Sequence, residues 1–586
     1  MSPEIDPDIR VARGRLRIVA AVFALGMVAL GARMVDLALP TGHPAVAAVT
    51  PPVVVQRHRR ADILDRNGVL LATDYPKASV FADPAEVIDP AASARQLARA
   101  LHGLDEATLR AKLSADGRFV WLKRHITDAE QREIIRLGLP GIRFRTELHR
   151  VYPQRALTAH IVGYVGVENQ GLAGIERSFE ERLTGDVSQG PLVLTLDLGV
   201  QEVVRSELAA AVTRFKAKGG TGLVLDVATG EIVGMVSLPD FDPNRYQRAT
   251  VEQRFNRNSQ GSYELGSLFK LFTVAMALDA GVVDMTDGFD ASRPFEMRPH
   301  RIHDFHAHQR WLSVPEIVAF SSNIGAARMA DALGGEGQRA YFGRFGLLDR
   351  HSIRLPEVGR PMVPSRWRPI NTVTAAYGHG IAVSPLQVVD AVAGAICAQP
   401  PPTAHLVTEI VPTERAAPLV SADTTAKLRW LMWLTVAEGT GTQAGVPGYL
   451  VGGKTGSADK VGRGGYRGGG VMASFVAAFP IDRPRYVVLV TIDEPKGDAA
   501  TYYQGTGGWT AAPTVGRIIS RIGPLVGLPP VEPGAERWFR ERLIQGQALN
   551  GRTHRSERSF AAAPFASWRV NGGERACACG PCWVTG

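Results

Sequence analysis

The stretch YELGSLFKLFTVAMALDAG, residues 263–281, limits the fold more than any other part of the chain. Its second half is an apolar run that reads as a buried helix, yet Lys270 falls in the first apolar turn, three residues after Ser267. A buried ammonium is costly unless it is paired or gives up its proton. Any fold this chain adopts must therefore bring polar partners to Lys270. On a helix Ser267 and Lys270 share one face. Gly266 and the turn before it place Ser267 at the helix N-terminus, where unpaired N–H groups favour negative charge. A serine there suits an activated nucleophile, and a lysine desolvated near a second cation suits its base. The competing reading is structural: Ser267 caps the helix and Lys270 snorkels to the surface.

Lysine is scarce, which gives that position weight. Only ten of the 66 basic residues are lysine, so arginine supplies the general surface charge. Lysine alone of the two can lose its proton and act as a base. The net charge of +9 is partly a tail effect, since eight arginines against three acids lie from Arg537 onward. Basic patches interleaved with aromatics are absent, and no nucleic acid partner is expected. Of four cysteines, Cys397 reads as a small core residue. Cys577, Cys579 and Cys582 cluster in the tail without a nearby histidine pair; a metal site, a disulfide and no role are all open.

The N-terminus sets the compartment. Residues 18–32 are uncharged, and Arg17 and Arg33 can snorkel outward to extend the span to about 16–39. Arg10, Arg13, Arg15 and Arg17 precede it and predict a cytoplasmic N-terminus. An uncleaved anchor is favoured; the rival is a signal peptide cleaved near AVAA at 45–48. In either case the bulk of the chain is exported.

The expected layout is a tail at 1–15, a transmembrane anchor at 16–39, a spacer at 40–56, a mixed domain at 57–190, a second domain at 191–525 and a basic, disordered tail at 526–586. ADILDRNGVLLATD predicts two short strands about a turn at Arg66-Asn67-Gly68, and DPAASARQLARALHGL a helix. LGVQEVVRSELAAAVTRFKAKGG aligns Val200, Val203, Val204, Leu208, Val212 and Phe215 on one helical face that stops at Gly219-Gly220. TGLVLDVATGEIVGMVSLP reads as a hairpin turning at Ala228-Thr229-Gly230. A long helical region follows to about residue 398, then strands at GYLVGGKTGSADK and SFVAAFPIDRPRYVVLVTIDEP. Strands at both ends with helices between predict an α+β fold, one antiparallel sheet packed against a helical cluster. VGRGGYRGGG, residues 461–470, reads as a mobile loop and not a phosphate cradle, because no helix follows it.

Spacing alone does not identify Ser267 and Lys270, since Ser457 and Lys460 repeat it in a strand-to-loop segment. Two partner motifs do. FSSNIG supplies Ser321 and Asn323, and GGKTGSA supplies Lys454, Thr455 and Gly456. Ser-x-x-Lys, Ser-x-Asn and Lys-Thr-Gly in this order resemble the signature of penicillin-binding proteins and serine β-lactamases. Over residues 60–515 the chain resembles a class B penicillin-binding protein of the septal, cell-division type. RRADILDRNGVLLA carries Ala61 where that family usually has glycine, and YELGSLFK carries Leu265 where proline is usual. RVYPQRALTAHIVGYVG, GLAGIERSFEERLTG, LTLDLGVQ, YGHGIAVSPLQ and IDEPK also fit.

The resemblance implies a transpeptidase domain on an elongated pedestal with one transmembrane helix, and it implies roles. Ser267 attacks a peptidoglycan stem peptide at the penultimate D-alanine, and neutral Lys270 takes its proton. Ser321 relays a proton to the leaving D-alanine, and Asn323 orients Lys270 and the substrate. Lys454 supplies positive potential. Thr455, Gly456 and Ser457 border the substrate carboxylate, and the N–H groups of Ser267 and Ser457 form an oxyanion hole. An amine then resolves the acyl-enzyme to a cross-link; β-lactams acylate Ser267. No metal or cofactor is required. Implied partners are a polytopic glycosyltransferase and other division proteins, with the catalytic domain periplasmic and the anchor in the inner membrane. The alternatives are a β-lactamase, although no acidic motif for deacylation follows Ser-x-Asn, a D,D-carboxypeptidase, and a non-catalytic β-lactam-binding sensor or division scaffold.

Overall fold

The computed structural model describes residues 7–38, 59–185, 189–397, 402–409, 417–460 and 470–531. The cysteine cluster, the spacer, nearly all of the tail from 526 and the loop at 461–469 lie outside the described residues. Contacts divide the chain into two compact units, Met1–Arg60 with Pro76–Leu148, and Ala61–Tyr75 with His149–Gly586. The stretch 57–190 is thus shared between both.

In the first unit, a helix spans Pro7–Ala38. Its window Arg17–Met34 is fully exposed and is long and apolar enough to cross a membrane by length and composition. The same unit has a small core in which Leu97, Leu109 and Ile134 come from the helices Pro90–Ala100, Glu106–Leu113 and Asp128–Leu137. Each helix has a polar cap, Asp89, Asp105 and Thr127. The predicted helix at DPAASARQLARALHGL stops at Ala100, short of the glycine.

In the second unit, Ile63–Leu64 pairs antiparallel with Leu70 and Ala72 across the predicted turn, where the Gly68 N–H donates to the Asp65 carbonyl at 3.1 Å. Arg150 ties this region together from a fully buried position. Its guanidinium donates to Glu176 at 2.7 Å, to Asp74 at 3.3 Å and to the Ala61 carbonyl at 2.9 Å. Removing Arg150 itself would leave two buried carboxylates without this cation.

A five-stranded antiparallel sheet forms the centre of the unit. Its order is Gly452–Asp459, Val471–Phe479, Tyr486–Asp493, Gly219–Asp226, Ile232–Leu238. The predicted hairpin closes with the Gly230 N–H donating to the Asp226 carbonyl at 2.9 Å. Successive side chains alternate between two apolar layers. Phe475, Ala477 and Phe479 face one core, and Met472, Val476 and Ala478 face the other. Helices Leu198–Arg214 and Ala511–Leu525 cover the first face. The other face carries the large helical cluster, including Phe269–Asp279, Pro385–Ala395 and Ala422–Ala437.

The expected sheet and helical cluster are both present; the second helical layer is an addition. One boundary differs. The helix from Leu198 ends at Arg214, and Gly219-Gly220 open the strand instead. A Cβ on Gly220 would come within 2.6 Å of the Thr491 carbonyl oxygen, and one on Gly222 within 2.4 Å of Val204. These glycines let helix and strand approach closely; they do not terminate the helix. The expected long helical region is also broken by two ribbons, Gly288–Asp290 with Trp311–Ser313 and Phe295–Met297 with His300–Ile302.

Candidate active site

A 3₁₀ turn, Gly266–Leu268, leads into the helix Phe269–Asp279, whose residues are all buried except Asp279. Gly266 has φ +56°, and a Cβ there would lie 2.5 Å from the Ser457 carbonyl oxygen, so glycine is required twice over. Ser267 is half-buried on a cleft of about 860 Å³ and makes no capping hydrogen bond. Lys270 is 1% exposed and does not snorkel. The purely structural reading of both residues fails at this point.

Lys270 finds its partners in the Ser-x-Asn loop. Its Nζ donates to the Ser321 carbonyl at 2.5 Å and to Asn323 Oδ1 at 2.7 Å, and contacts Ser321 Oγ at 3.1 Å. Ser321 adopts φ +63°, an unusual conformation for a side chain-bearing residue, which turns carbonyl and hydroxyl toward the same amine. Ser322 caps the helix Asn323–Leu333 through Gly325 N–H. Asp304 secures the loop from outside: it accepts from Ser322 Oγ at 2.8 Å, Asn323 N–H at 2.5 Å and Ile324 N–H at 2.9 Å. A carboxylate at a helix N-terminus is favoured electrostatically. Nothing local in IHDFHAHQ marks Asp304, because its partners come from a later element.

Lys454 lies on the sheet's edge strand and is fully buried. Its Nζ donates to Ser321 Oγ at 3.0 Å and to the Thr455 carbonyl at 3.1 Å. One hydroxyl thus bridges two lysines. Burial, then the charge of Lys454, hold Lys270 well below the ordinary lysine range, while Asp304 pulls weakly the other way. Burial pushes Lys454 down to about 7. A neutral Lys270 keeps two N–H groups, which match the two oxygens that can only accept, the Ser321 carbonyl and Asn323 Oδ1. Its lone pair is left for a hydroxyl.

Thr455 and Ser457 line the same cleft. Thr455 Oγ1 lies 2.8 Å from Thr440 Oγ1, and Ser457 Oγ accepts from Gly507 N–H at 2.9 Å. Gly456 brings the strand flush with the serine turn; a Cβ there would stand 2.4 Å from the Leu265 carbonyl oxygen. Five of the eight predicted positions, Ser267, Ser321, Asn323, Thr455 and Ser457, line one cleft; Lys270 and Lys454 reach it through the Ser321 hydroxyl, and Gly456 packs against the serine turn. The structure adds Asp304, Thr440 and Gly507, which sequence reasoning missed, and it places on the cleft wall His379, which the YGHGIAVSPLQ block contained without a role.

The second Ser-x-x-Lys behaves differently. Lys460 pairs with Asp493 at 2.7 Å and Glu494 at 2.8 Å. Burial opposes its charge, but these two carboxylates outweigh it and raise its pKa. A lysine held protonated cannot serve as a base.

Residues 220–520 match the penicillin binding protein transpeptidase domain, and residues 56–194 the penicillin-binding protein dimerisation domain. A Caulobacter vibrioides protein named "Probable peptidoglycan D,D-transpeptidase FtsI" is 38% identical over 485 residues, 80% of this chain and 82% of that one. The Escherichia coli K12 peptidoglycan D,D-transpeptidase FtsI is 31% identical over 84% of this chain and 88% of its own. The crystal structure of a candidate peptidoglycan glycosyltransferase from Atopobium parvulum DSM 20469 superposes on 81% of this chain and 99% of that one, with a TM-score of 0.63 at 22% identity, a likeness of fold. With both domains matched and relatives aligned over most of their length, the chain belongs to the class B penicillin-binding proteins.

Proposed function

We propose that this protein is a serine D,D-transpeptidase that cross-links peptidoglycan stem peptides during septal wall synthesis and is acylated by β-lactams. One observation carries the reading: a buried amine, Lys270, shares the Ser321 hydroxyl with a second buried amine, Lys454, one helical turn from a cleft-facing serine. Ser267 Oγ attacks the carbonyl of the penultimate D-alanine, and Lys270 accepts its proton. The hydrogen bonds of Lys270 run to Ser321 and Asn323 in the free protein, so the transfer needs a small side-chain turn on substrate binding. The Ser321 hydroxyl passes the proton to the departing D-alanine amine. Lys454, Thr455 and Ser457 receive the terminal carboxylate. N–H groups of Ser267 and Ser457 hold the oxyanion, each contributing about 3–4 kcal/mol by the usual cost of losing such a donor.

The relatives named as peptidoglycan D,D-transpeptidases support transfer to an amine over hydrolysis. The N-terminal arginines orient the helix with its start in the cytoplasm and the catalytic unit on the far side of the cytoplasmic membrane. A polytopic glycosyltransferase and other division proteins are the partners this placement suits. Residues 57–190 serve as a pedestal. The test is complementation: a cell depleted of its septal transpeptidase is rescued by the wild-type chain and not by Ser267→Ala. Rescue by the Ser267→Ala chain would replace catalysis with a scaffold or sensor role.

A further inference from the structure

The second half of the proposed reaction needs a place for an amine and a group to take its proton. Two features beside Ser267 meet this need. First, the turn at residues 377–380 is zipped onto the serine turn. Tyr263 and Val383 exchange backbone hydrogen bonds at 2.9 and 3.1 Å, the Gly380 N–H donates to Glu264 Oε1 at 2.9 Å, and a Cβ on Gly378 would stand 2.2 Å from the Gly266 carbonyl oxygen. This fixes His379, whose N–H donates to the Thr374 carbonyl at 3.1 Å, on the wall of the Ser267 cleft. Second, a groove of about 660 Å³, with Tyr263, Met362, Val363 and Met472 among its walls, reaches that cleft through a shared residue, Asp459, the last of the edge strand. Glu264 stands in the same groove, three residues before Ser267.

Resting on the transpeptidase reading above, we infer that this groove is the acceptor site: it takes a stem strand bearing a primary ammonium, Glu264 and Asp459 attract that ammonium, and His379 removes its proton. Three charged groups act on His379, namely Glu264 and Asp459, which favour its protonated form, and Lys270, which opposes it. Burial is the largest influence and holds its pKa below the ordinary histidine value, so the resting imidazole is neutral and able to accept. The two carboxylates then stabilise the imidazolium once it forms.

The bound ammonium gives one proton to the His379 imidazole and becomes a free amine. Its nitrogen bonds to the acyl carbon, and the bond from that carbon to Ser267 Oγ breaks. The amine's second proton reaches Ser267 Oγ by way of Lys270. The products are an amide cross-link, free serine and an imidazolium that loses its proton to solvent. Asp304, the other cleft carboxylate, is committed to Ser322, Asn323 and Ile324.

The test uses the full-length protein with a thioester donor and D-alanine as the acceptor amine, and reads the ratio of aminolysis to hydrolysis. In His379→Gln this ratio falls at least tenfold below wild type. In Asp459→Asn, a change at an exposed strand end, the KM for D-alanine rises severalfold with little change in kcat. A ratio within twofold of wild type in His379→Gln, or an unchanged acceptor KM in Asp459→Asn, overturns the inference and leaves the proposed function standing. Failure of the wild-type protein to be acylated by the donor at all overturns both.

Discussion

Ser321 is the point on which the residue-scale account turns, because its hydroxyl is 3.1 Å from Lys270 and 3.0 Å from Lys454. In the proposed mechanism the two amines have unequal duties, and pH separates them. Lys270 must be neutral to accept a proton, and its pKa is held well below the ordinary value. Lys454 must be charged to attract a carboxylate, and its pKa is about 7. A depressed lysine carries its charge below its folded pKa and loses it as pH rises through that value. Acylation by a carboxylate-bearing β-lactam is therefore expected to weaken as pH climbs past about 7, through a rising apparent KM. Lys454→Arg, which cannot deprotonate, removes that limb if the larger side chain is accommodated; a KM independent of pH in the wild type would contradict this assignment. Lys270→Met is expected to lower the acylation rate by about 10²–10⁴, the usual contribution of a general base, measured by stopped-flow with a fluorescent penicillin.

At the scale of elements, the site depends on close backbone approach between the serine turn, the edge strand and the turn at residues 377–380. Gly456→Ala forces a Cβ toward the Leu265 carbonyl oxygen; overpacking of this kind costs about 1–3 kcal/mol and should lower both Tm and penicillin acylation. Lys460→Met, which removes a lysine with the same spacing from a serine but paired to Asp493 and Glu494, should leave acylation intact; a large loss there would mean the wrong lysine has been assigned. Much of this was legible in the sequence. The helix start at Ser267, the hairpin about Gly230 and the strand carrying Lys454 each follow from local pattern. Asp304, Thr440, Gly507 and His379 do not. Each owes its place to contacts with another element; of the four only His379 sits in a motif, the YGHGIAVSPLQ block, which by itself gives the histidine no role. The double glycine at 219–220 misled in the same way, since its purpose is close packing against Thr491 and Leu208, which only the sheet reveals.

At the scale of the molecule, one exposed apolar helix opens the first of two compact units, whose boundary crosses the chain at residues 60, 75 and 148. The anchor and the chemistry are separable in sequence, since every site residue lies beyond residue 263. Removing residues 1–38 is expected to move the protein from the membrane to the soluble fraction while it still forms a penicillin adduct, as read by fractionation and gel fluorescence. Retention in the membrane fraction would contradict the assignment of that helix as the anchor.

Ser267, activated by Lys270, is the proposed nucleophile. Intact-mass and peptide mass spectrometry of the full-length protein after incubation with penicillin tests this assignment. One stable adduct is expected on the peptide containing Ser267 in the wild type and none in Ser267→Ala. An adduct on the Ser267→Ala protein, or on another serine of the wild type, would contradict it.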